Sequence, residues 1–420
     1  MKKIIVAHPL QQHSYRTVEA LDKINILQKY ITTVYYQKDK KMYRFLEKIL
    51  KPSNLKRMYG RKNKIVEKYL KTFDEFLGLL YLLIVRIDKL KIIEPRFYSL
   101  LTNHFGKKVY KYIKKNNTRA LIMYDTTAYK CFKLINKSKY PCTKILDMSS
   151  VAAPYIRNIL LEELSKDYMT YKKSIKTKLK SYSKQICKRY QMEIESADYF
   201  LVASNFVKKS LIYCGVNKEK ILYVPYGVDI KKFYEKKDKI NENIEKLKFL
   251  FVGRVDATKG IYYLIKAFEE LQHLDIELIV VGSISSNDEQ IIDDIRKNYN
   301  IIYKGIKTKD EMSNIYRDAD VYIMSSLFEG FSLTLFEAMA SNLPVIATKN
   351  SVADDVITDY KEGFLIDYAS KEQIKEKILW FCNNKSKIPQ MGKEARKLAE
   401  TYIWENYNKN LNREIEKILK

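Results

Sequence analysis

Short apolar runs alternate with longer amphipathic stretches along most of the sequence, a pattern that predicts parallel β-sheets covered by helices. In the first half the apolar runs predict the strands Ile4–Ala7, Ile31–Tyr35, Ala120–Met123, Lys144–Asp147, Tyr199–Ala203 and Ile221–Val224. In the second half they predict the strands Leu247–Gly253, Ile276–Gly282, Asn300–Tyr303, Val321–Ser325 and Pro344–Ala347. The sequence therefore predicts an α/β fold rather than an all-α or all-β one.

The two series of strands are separated by VPYGVDIKKF, which starts at Val224 and is followed by the charged stretch EKKDKINENIEK. A linker here predicts a first domain over residues 1–228 and a second over 229–404. A last helix, at about 405–420, can pack back on the first domain. Two α/β sheets joined by one linker leave a cleft between them, and ligands bind in such clefts at the carboxyl ends of the strands.

The charge of the chain is unevenly distributed. The 420 residues contain 77 Lys and Arg against 50 Asp and Glu, a formal net charge of +27. Residues 1–230 hold 47 of the basic and 19 of the acidic residues, so the first half carries +28 and the second half −1. A net charge this basic suggests nucleic-acid binding, but the sequence shows no nucleic-acid motif. The asymmetry instead predicts two domains with different partners.

The basic charge concentrates in two segments of the first domain. Lys40–Lys64 contains ten Lys and Arg and one Glu, interleaved with apolar residues, and Lys172–Arg189 contains eight and no acidic residue. The apolar run Phe76–Val85 is too short to cross a bilayer as a helix, which takes about 20 residues. It is either a buried core helix or a surface that inserts beside the basic segments. We expect peripheral association with an anionic membrane through residues 38–115 and 166–190.

The cysteines and histidines indicate a protein of a reducing compartment. The five Cys show no CxxC spacing, and the four His show no metal-ligand spacing, so no zinc site is expected. The apolar run Ile4–Ala7 is too short for the core of a signal peptide. We expect a cytoplasmic protein at the inner face of the membrane.

A first candidate site is FVGRVDATKG, Phe251–Gly260. A predicted strand ends at Gly253, Arg254 follows, and Lys259 lies near the start of the next helix. A helix N-terminus offers free N–H groups, Arg254 adds a planar fork for phosphate, and Lys259 adds a point charge. The spacing fits anion binding and equally fits two solvated surface cations.

A second candidate site is EGFSLTLFEAMASNLPVIAT, in which Glu329 precedes a predicted helix and Glu337 lies about one and a half turns inside it. Both carboxylates can border one pocket, where a carboxylate could bind a ribose diol and the amides of 332–334 could face a phosphate. Alone, the spacing also fits an ordinary helix glutamate.

In this order, and with YGVD and ADYFLVAS upstream, the two motifs resemble the retaining glycosyltransferases of family 4, glycosyl transferases group 1. The resemblance covers roughly residues 193–404 and is weak over the first 190. It implies the GT-B fold, two Rossmann-like α/β domains that face each other across a central cleft. It also implies transfer of a hexosyl or N-acetylhexosaminyl group from a nucleotide diphosphate sugar, UDP- or GDP-linked, with retention of configuration. No metal and no further cofactor are expected.

The resemblance also implies roles for single residues. Arg254 and Lys259 would hold the donor diphosphate and stabilise the leaving group, Glu337 would bind the ribose, and Glu329 would contact the donor sugar. The remaining donor-binding positions are Gly253, Gly282 and Ile306 near phosphate or base, and the backbone amides of Gly330, Phe331, Ser332 and Leu333.

The sequence departs from the family pattern in three places. The loop after the first strand, HPLQQHSYR, has no glycine, and His13 is our candidate for the contact that closes the site there. Ser332 replaces the third-position glycine of EGFG, and Asn342 replaces a glycine before Leu-Pro.

Asp147, after a later strand, is our candidate for reaching the sugar, with Asp125 as the alternative; either could be an ordinary cap. Asp318–Asp320 spells D-x-D, a metal motif in another glycosyltransferase fold, and is interpreted here as structural.

The acceptor is then expected to be a glycan or lipid-linked oligosaccharide in cell-surface polysaccharide synthesis. A sugar-nucleotide epimerase of the same fold, a phosphorylase and a basic nucleic-acid-binding protein remain alternatives. The base, the sugar, the linkage and the oligomeric state are left open by the sequence.

Overall fold

The structure is a computed structural model that describes residues 3–49, 55, 58–60, 62–87, 93–166, 172–233, 246–284, 288 and 290–419. The charged stretch expected to follow the linker lies mostly outside these residues, as does part of the basic segment Lys40–Lys64. Within the described part, the chain forms two parallel sheets flanked by helices, as the sequence predicts.

The first sheet has seven strands in the order β3-β2-β1-β4-β5-β6-β7, all parallel to their neighbours. Its strands are β1 Ile4–Ala7, β2 Leu27–Thr32, β3 Leu70–Thr72, β4 Ala120–Tyr124, β5 Thr143–Met148, β6 Tyr199–Val202 and β7 Ile221–Tyr223. The central strands β1 and β4 are fully buried, because helices cover both faces of the sheet.

The helices of this part of the chain follow the strands in turn. They are α1 Ser14–Lys23, α2 Lys41–Ile49, α3 Lys64–Tyr69, α4 Glu75–Ile84, α5 Glu94–Lys115, α6 Tyr129–Ser138, α7 Ala153–Ser165, α8 Lys172–Ser181, α9 Lys184–Glu195 and α10 Asn205–Tyr213.

The second sheet has six parallel strands in the order β10-β9-β8-β11-β12-β13. They are β8 Leu247–Val252, β9 Ile276–Val281, β10 Ile301–Gly305, β11 Val321–Met324, β12 Val345–Thr348 and β13 Gly363–Ile366. The accompanying helices are α11 Ile261–Glu270, α12 Gln290–Lys297, α13 Lys309–Asp318, α14 Leu333–Ala340, α15 Ala353–Val356, α16 Lys371–Asn383, α17 Ile388–Ala399 and α18 Trp404–Leu419.

The chain passes between the two sheets twice, and the two passages lie side by side. Val228 N–H donates to the Tyr402 carbonyl at 2.7 Å, directly before α18 begins. Helix α18 then packs on α1 of the first sheet, where Tyr407 and Thr17 share a buried hydrogen bond of 3.0 Å. The last helix thus returns to the first sheet.

One predicted strand is misplaced and two are missed. The run Ile31–Tyr35 was predicted as a strand, but β2 ends at Thr32, and Tyr35 is buried for another reason: its hydroxyl accepts from Asn63 N–H at 2.8 Å beneath α3. Burial, rather than strand pairing, explains the apolar character of its second half. The short strands β3 and β13, three and four residues long, were not predicted because their apolar runs are too brief to separate from loop.

Helix α4 is more exposed than a core helix. It buries only Gly78, Tyr81 and Ile84, while the side chains of Phe76 and Leu83 are 72% and 52% exposed. Across the described part of the chain, every helix is too short or too polar to span a bilayer.

Candidate functional site

The Gly253–Gly260 loop leaves the carboxyl end of β8 and forms one 3₁₀ turn, Ala257–Lys259, before α11. Asp256 caps this turn: its Oδ1 accepts from Thr258 N–H at 2.9 Å and from the Thr258 hydroxyl at 2.6 Å. The cap fixes the loop so that Arg254 and Lys259 leave it at the cleft end of the sheet.

Arg254 lies at the surface of this loop with its side chain 57% exposed. Its Nε donates to Asp256 Oδ2 at 2.5 Å, and Lys178 Nζ, from α8 of the first half of the chain, lies 2.9 Å from the same oxygen. Burial opposes ionisation of Asp256, but Lys178, Thr258 and Arg254 together hold the pKa of this carboxyl below its ordinary value. Asp256 is therefore a buried anion that orients one of the two predicted phosphate ligands.

Lys259 and Glu329, predicted for different parts of the donor, contact each other. Lys259 Nζ forms an ion pair with Glu329 Oε1, which also accepts from the Ser326 hydroxyl at 2.9 Å. Both side chains are mostly shielded from solvent. The pair joins the loop after β8 to the loop after β11, so one cation and one carboxylate lie at the end of the two central strands.

Glu337 is held in a half-buried position in the second turn of α14. Its Oε2 accepts from the Tyr316 hydroxyl at 3.0 Å. Burial raises the pKa of the Glu337 carboxyl above its ordinary value of 4.5, and Tyr316, Lys309 and Lys232 partly offset this. The carboxylate keeps acceptor capacity for a ligand.

Gly330, in the loop after β11, lies directly against the loop after β5 of the first sheet. A Cβ at this position would lie 2.5 Å from the carbonyl oxygen of Ser149, in the loop after β5. The Gly330 carbonyl accepts from the Ser204 hydroxyl at 2.6 Å, and the next residue, Phe331, packs against Tyr226 with ring centroids 5.2 Å apart. A side chain at 330 would force the two halves of the cleft apart.

Ser332 has a left-handed backbone, with φ +67° and ψ +83°, immediately before α14. Asn342, the second departure from the family pattern, has φ +60°. Both replacements therefore keep the backbone that glycine adopts without strain. Leu333, the first residue of α14, is 44% exposed.

The predicted base-facing positions line the next strand ends. Gly282 has φ +146°, and a Cβ there would overlap the Gly253 carbonyl oxygen, so glycine lets the loops after β8 and β9 pack together. The Tyr303 hydroxyl donates to the Gly282 carbonyl at 2.8 Å. Ile306, just after β10, is 75% exposed and offers an apolar surface beside these loops.

On the opposite side of the cleft, His13 and Asp147 are brought together across β4. His13 Nε2 lies 2.9 Å from Asp147 Oδ2, and the Tyr226 hydroxyl donates to Asp147 Oδ1 at 3.4 Å. The alternative, Asp125, is buried and accepts from the Ser149 and Ser150 hydroxyls at 2.7 and 2.5 Å. Burial raises the pKa of Asp125, and these hydroxyls partly offset it. Asp125 thus holds the loop that meets Gly330.

Three contributors to the site were not predicted as site residues. Asp256 is inside the quoted motif but was given no role, and Tyr316 and Lys178 are distant in sequence from the residues they hold. In the D-x-D sequence, Asp320 accepts from Lys248 N–H at 2.9 Å. Among the described residues, no three His, Cys, Asp or Glu side chains cluster in a way that could hold a metal ion.

The backbone at Ser332 gives a stability prediction. Replacing Ser332 with glycine should relieve a left-handed residue and raise the free energy of unfolding by about 1 kcal/mol. Asn342→Gly is the matched control and should change it less, because asparagine tolerates this conformation. Urea-unfolding midpoints measure both, and an unchanged or lower midpoint for Ser332→Gly would contradict the inferred strain.

Residues 232–398 match the family described as glycosyl transferases group 1. Among curated proteins, the chain is 30% identical over 250 residues to sucrose synthase of Melioribacter roseus, covering 49% of this chain and 31% of that protein. It is 28% identical over 234 residues to the capsular polysaccharide biosynthesis glycosyltransferase CapM of Staphylococcus aureus, covering 52% and 60%. The chain thus spans less than two thirds of the length of these relatives.

Solved structures share the whole architecture. Sucrose-phosphate synthase of Thermosynechococcus elongatus superposes with a TM-score of 0.69 at 14% identity, covering 100% of this chain and 99% of that one. Anabaena HepE in complex with UDP superposes with a TM-score of 0.63 at 13% identity, covering 99% and 100%. The two α/β units therefore form the GT-B fold predicted from the sequence. Over residues 232–398, which hold most of the second sheet and its helices, the chain is similar to the glycosyl transferases group 1 family.

Proposed function

We propose that this protein is a retaining glycosyltransferase that moves a sugar from a nucleotide diphosphate sugar to a glycan or lipid-linked acceptor. The observation that carries the proposal is that Arg254, Lys259 and the half-buried Glu337 follow the carboxyl ends of β8 and β11, neighbouring strands of the second sheet. Two cations face a diphosphate, and one carboxylate suits a ribose diol.

Leaving-group stabilisation is the main contribution of these residues in the proposed reaction. The bond between the anomeric carbon and the diphosphate oxygen breaks, and a bond from that carbon to the acceptor oxygen forms on the same face. The departing phosphate oxygen takes the acceptor's proton. Arg254 and Lys259 offset the charge that develops on the diphosphate, and fixed charges of this kind are usually the largest catalytic contribution.

The other side of the cleft is proposed to orient the sugar and the acceptor. His13 and Asp147 hold each other at the end of the first sheet, so either can present a hydrogen-bonding edge to a sugar hydroxyl. Glu329 is kept beside Lys259 and would contact the donor sugar from the opposite side. No metal ion and no further cofactor take part in the proposed reaction.

The choice of donor and acceptor class draws on the relatives. The HepE structure contains UDP, and CapM is named for capsular polysaccharide biosynthesis. UDP-sugars, with GDP-sugars as the second choice, are therefore the proposed donors, and an intermediate of cell-surface polysaccharide synthesis is the proposed acceptor.

Nucleotide binding tests the donor site. Titration calorimetry with UDP and GDP should detect binding of one of them, and Glu337→Gln should weaken it about tenfold or more, since a charged acceptor is worth about 1.5–3 kcal/mol. Asp318→Asn, at the end of α13, is the control and should bind like wild type. Unchanged affinity in Glu337→Gln would remove Glu337 from the ribose site.

We also propose that the first domain docks on an anionic membrane surface at the inner face of the cytoplasmic membrane. The exposed apolar side of α4, with Phe76 and Leu83, lies next to Arg86 and the basic helix α5. Apolar insertion and basic charge together suit an interfacial site, at about 1 kcal/mol for each basic residue near the surface. Part of the expected second segment is not available for this, because Lys178 of α8 faces the second domain.

Vesicle flotation measures this docking. The double variant Phe76→Ser, Leu83→Ser should lose co-flotation with phosphatidylserine vesicles at low salt, by about tenfold in the bound fraction. The matched control is Ile212→Ser, which changes an exposed apolar residue on α10 of the same domain. Equal flotation of wild type and double variant would show that α4 is not the lipid contact.

A further inference from the structure

Helix α8 reaches from the first half of the chain over the Arg254 loop of the second. The Ser174 hydroxyl donates to Asp288 Oδ1, and Lys178 Nζ forms an ion pair with Asp256 Oδ2 at 2.9 Å. Residues four apart lie on the same face of a helix. One side of this basic helix is therefore committed to the second domain, whereas Lys176 and Lys180 are exposed to solvent.

The partner of Lys178 is an anion that cannot reach water. Asp256 is fully buried, and its Oδ2 is shared by Lys178 Nζ and Arg254 Nε. A buried carboxylate is strongly destabilising unless cations and donors compensate it. The charge of Asp256 is therefore compensated by one cation from each side of the cleft.

Because Lys178 and Arg254 share Asp256, the net charge around a bound donor is more positive than the second domain alone would give. Arg254 and Lys259 are balanced by Asp256 and Glu329, so these four residues sum to zero formal charge. Lys178 leaves an excess of one positive charge beside Arg254. A dianionic diphosphate is favoured by that excess, and the effect is strong where the site is partly shielded from water.

We infer that Lys178 is a positioning residue for donor binding: it neutralises Asp256 from across the cleft so that the Arg254 guanidinium can face the diphosphate. This inference rests on the proposed function. When Lys178 is absent, Arg254 and the two Thr258 donors compensate the Asp256 carboxylate without the lysine, and the guanidinium is held toward the protein. Because the ion pair joins the two domains, donor binding and cleft closure favour each other reciprocally.

The test is UDP or GDP affinity by calorimetry, with whichever nucleotide wild type binds. Lys178→Met should weaken binding about tenfold, within the 5–150-fold range of such couplings, and Lys178→Arg should restore most of it. Lys176→Met and Lys180→Met remove the same charge from the exposed side of α8 and should stay within about twofold. Ser174→Ala removes another cross-domain contact of this helix, the hydrogen bond to Asp288, and should also stay within about threefold.

The possible results separate this inference from the proposed function. A wild-type protein that binds neither nucleotide overturns the proposed function and the inference with it. Wild-type binding with unchanged affinity in Lys178→Met overturns the inference alone. An equal loss in Lys176→Met would reduce the effect to general charge, and an equal loss in Ser174→Ala would reduce it to cleft closure; both results contradict a specific action on Arg254.

Discussion

Replacing Lys259 with methionine should lower the rate of sugar transfer by about 100- to 1,000-fold, the effect of removing one fixed stabilising group from a leaving group or oxyanion. Methionine keeps most of the length of the side chain and removes the charge. Lys259 is held at the site by Glu329 and by the turn that Asp256 caps. Release of free nucleotide from a UDP-sugar, measured with acceptor present, gives the rate.

A lower transfer rate in Lys259→Met has a second possible cause, which a further variant tests. Without Lys259 the Glu329 carboxylate is left unpaired and would repel a diphosphate. The double variant Lys259→Met, Glu329→Gln deletes both charges and should remain at least about 100-fold slow if Lys259 acts on the leaving group. Recovery in the double variant would show that Lys259 serves only to neutralise Glu329. Lys266→Met, which breaks a surface pair with Glu269, is the control and should transfer at the wild-type rate.

The positions of the candidate donor residues along the fold could be predicted because they are set locally. Arg254, Lys259 and Glu337 each lie within a few residues of a strand end or a helix start, and a short apolar run marks both. The backbone at Ser332 and Asn342 follows the same logic: the family pattern has glycine there, and both residues have positive φ. Positions set by their immediate neighbours can be read from a single sequence.

The contacts across the cleft could not be predicted, because they join residues that are far apart in the chain. His13 and Asp147 were each a candidate alone, but their pairing depends on the order β1-β4-β5 in the sheet. Lys178 looked like one of eight basic residues in a segment without acids. Only the path of α8 over the second domain separates it from Lys176 and Lys180, since all three have the same local sequence character.

The exposure of helix α4 also could not be predicted from the sequence. Its composition fits both a buried helix and an inserting surface, because both are apolar. The deciding quantity is how much neighbouring structure covers it, and Phe76 and Leu83 remain largely uncovered.

Substituting Gly330 with alanine should lower transfer about 100-fold while leaving the second domain folded and able to bind nucleotide. The added Cβ would meet the Ser149 carbonyl oxygen at 2.5 Å, and a backbone carbonyl cannot turn aside as a side chain can. The loop after β5 is also fixed, since Asp125 binds the Ser149 and Ser150 hydroxyls. The cleft must then open by about 1 Å, and a displacement of that size between reacting groups costs about 100-fold in rate.

The separation of transfer from nucleotide binding makes this prediction specific to the contact between the domains. Arg254, Lys259 and Glu337 all lie in the second domain, so nucleotide affinity should fall by no more than about tenfold, the share that depends on the contact with the first domain. Gly253→Ala is the matched control for cleft opening, because its Cβ would meet no atom nearer than 3.9 Å. Gly253→Ala should therefore lose far less transfer than Gly330→Ala. A Gly330→Ala protein that transfers sugar at the wild-type rate would mean that the cleft does not need this approach of Gly330 to Ser149 during the reaction.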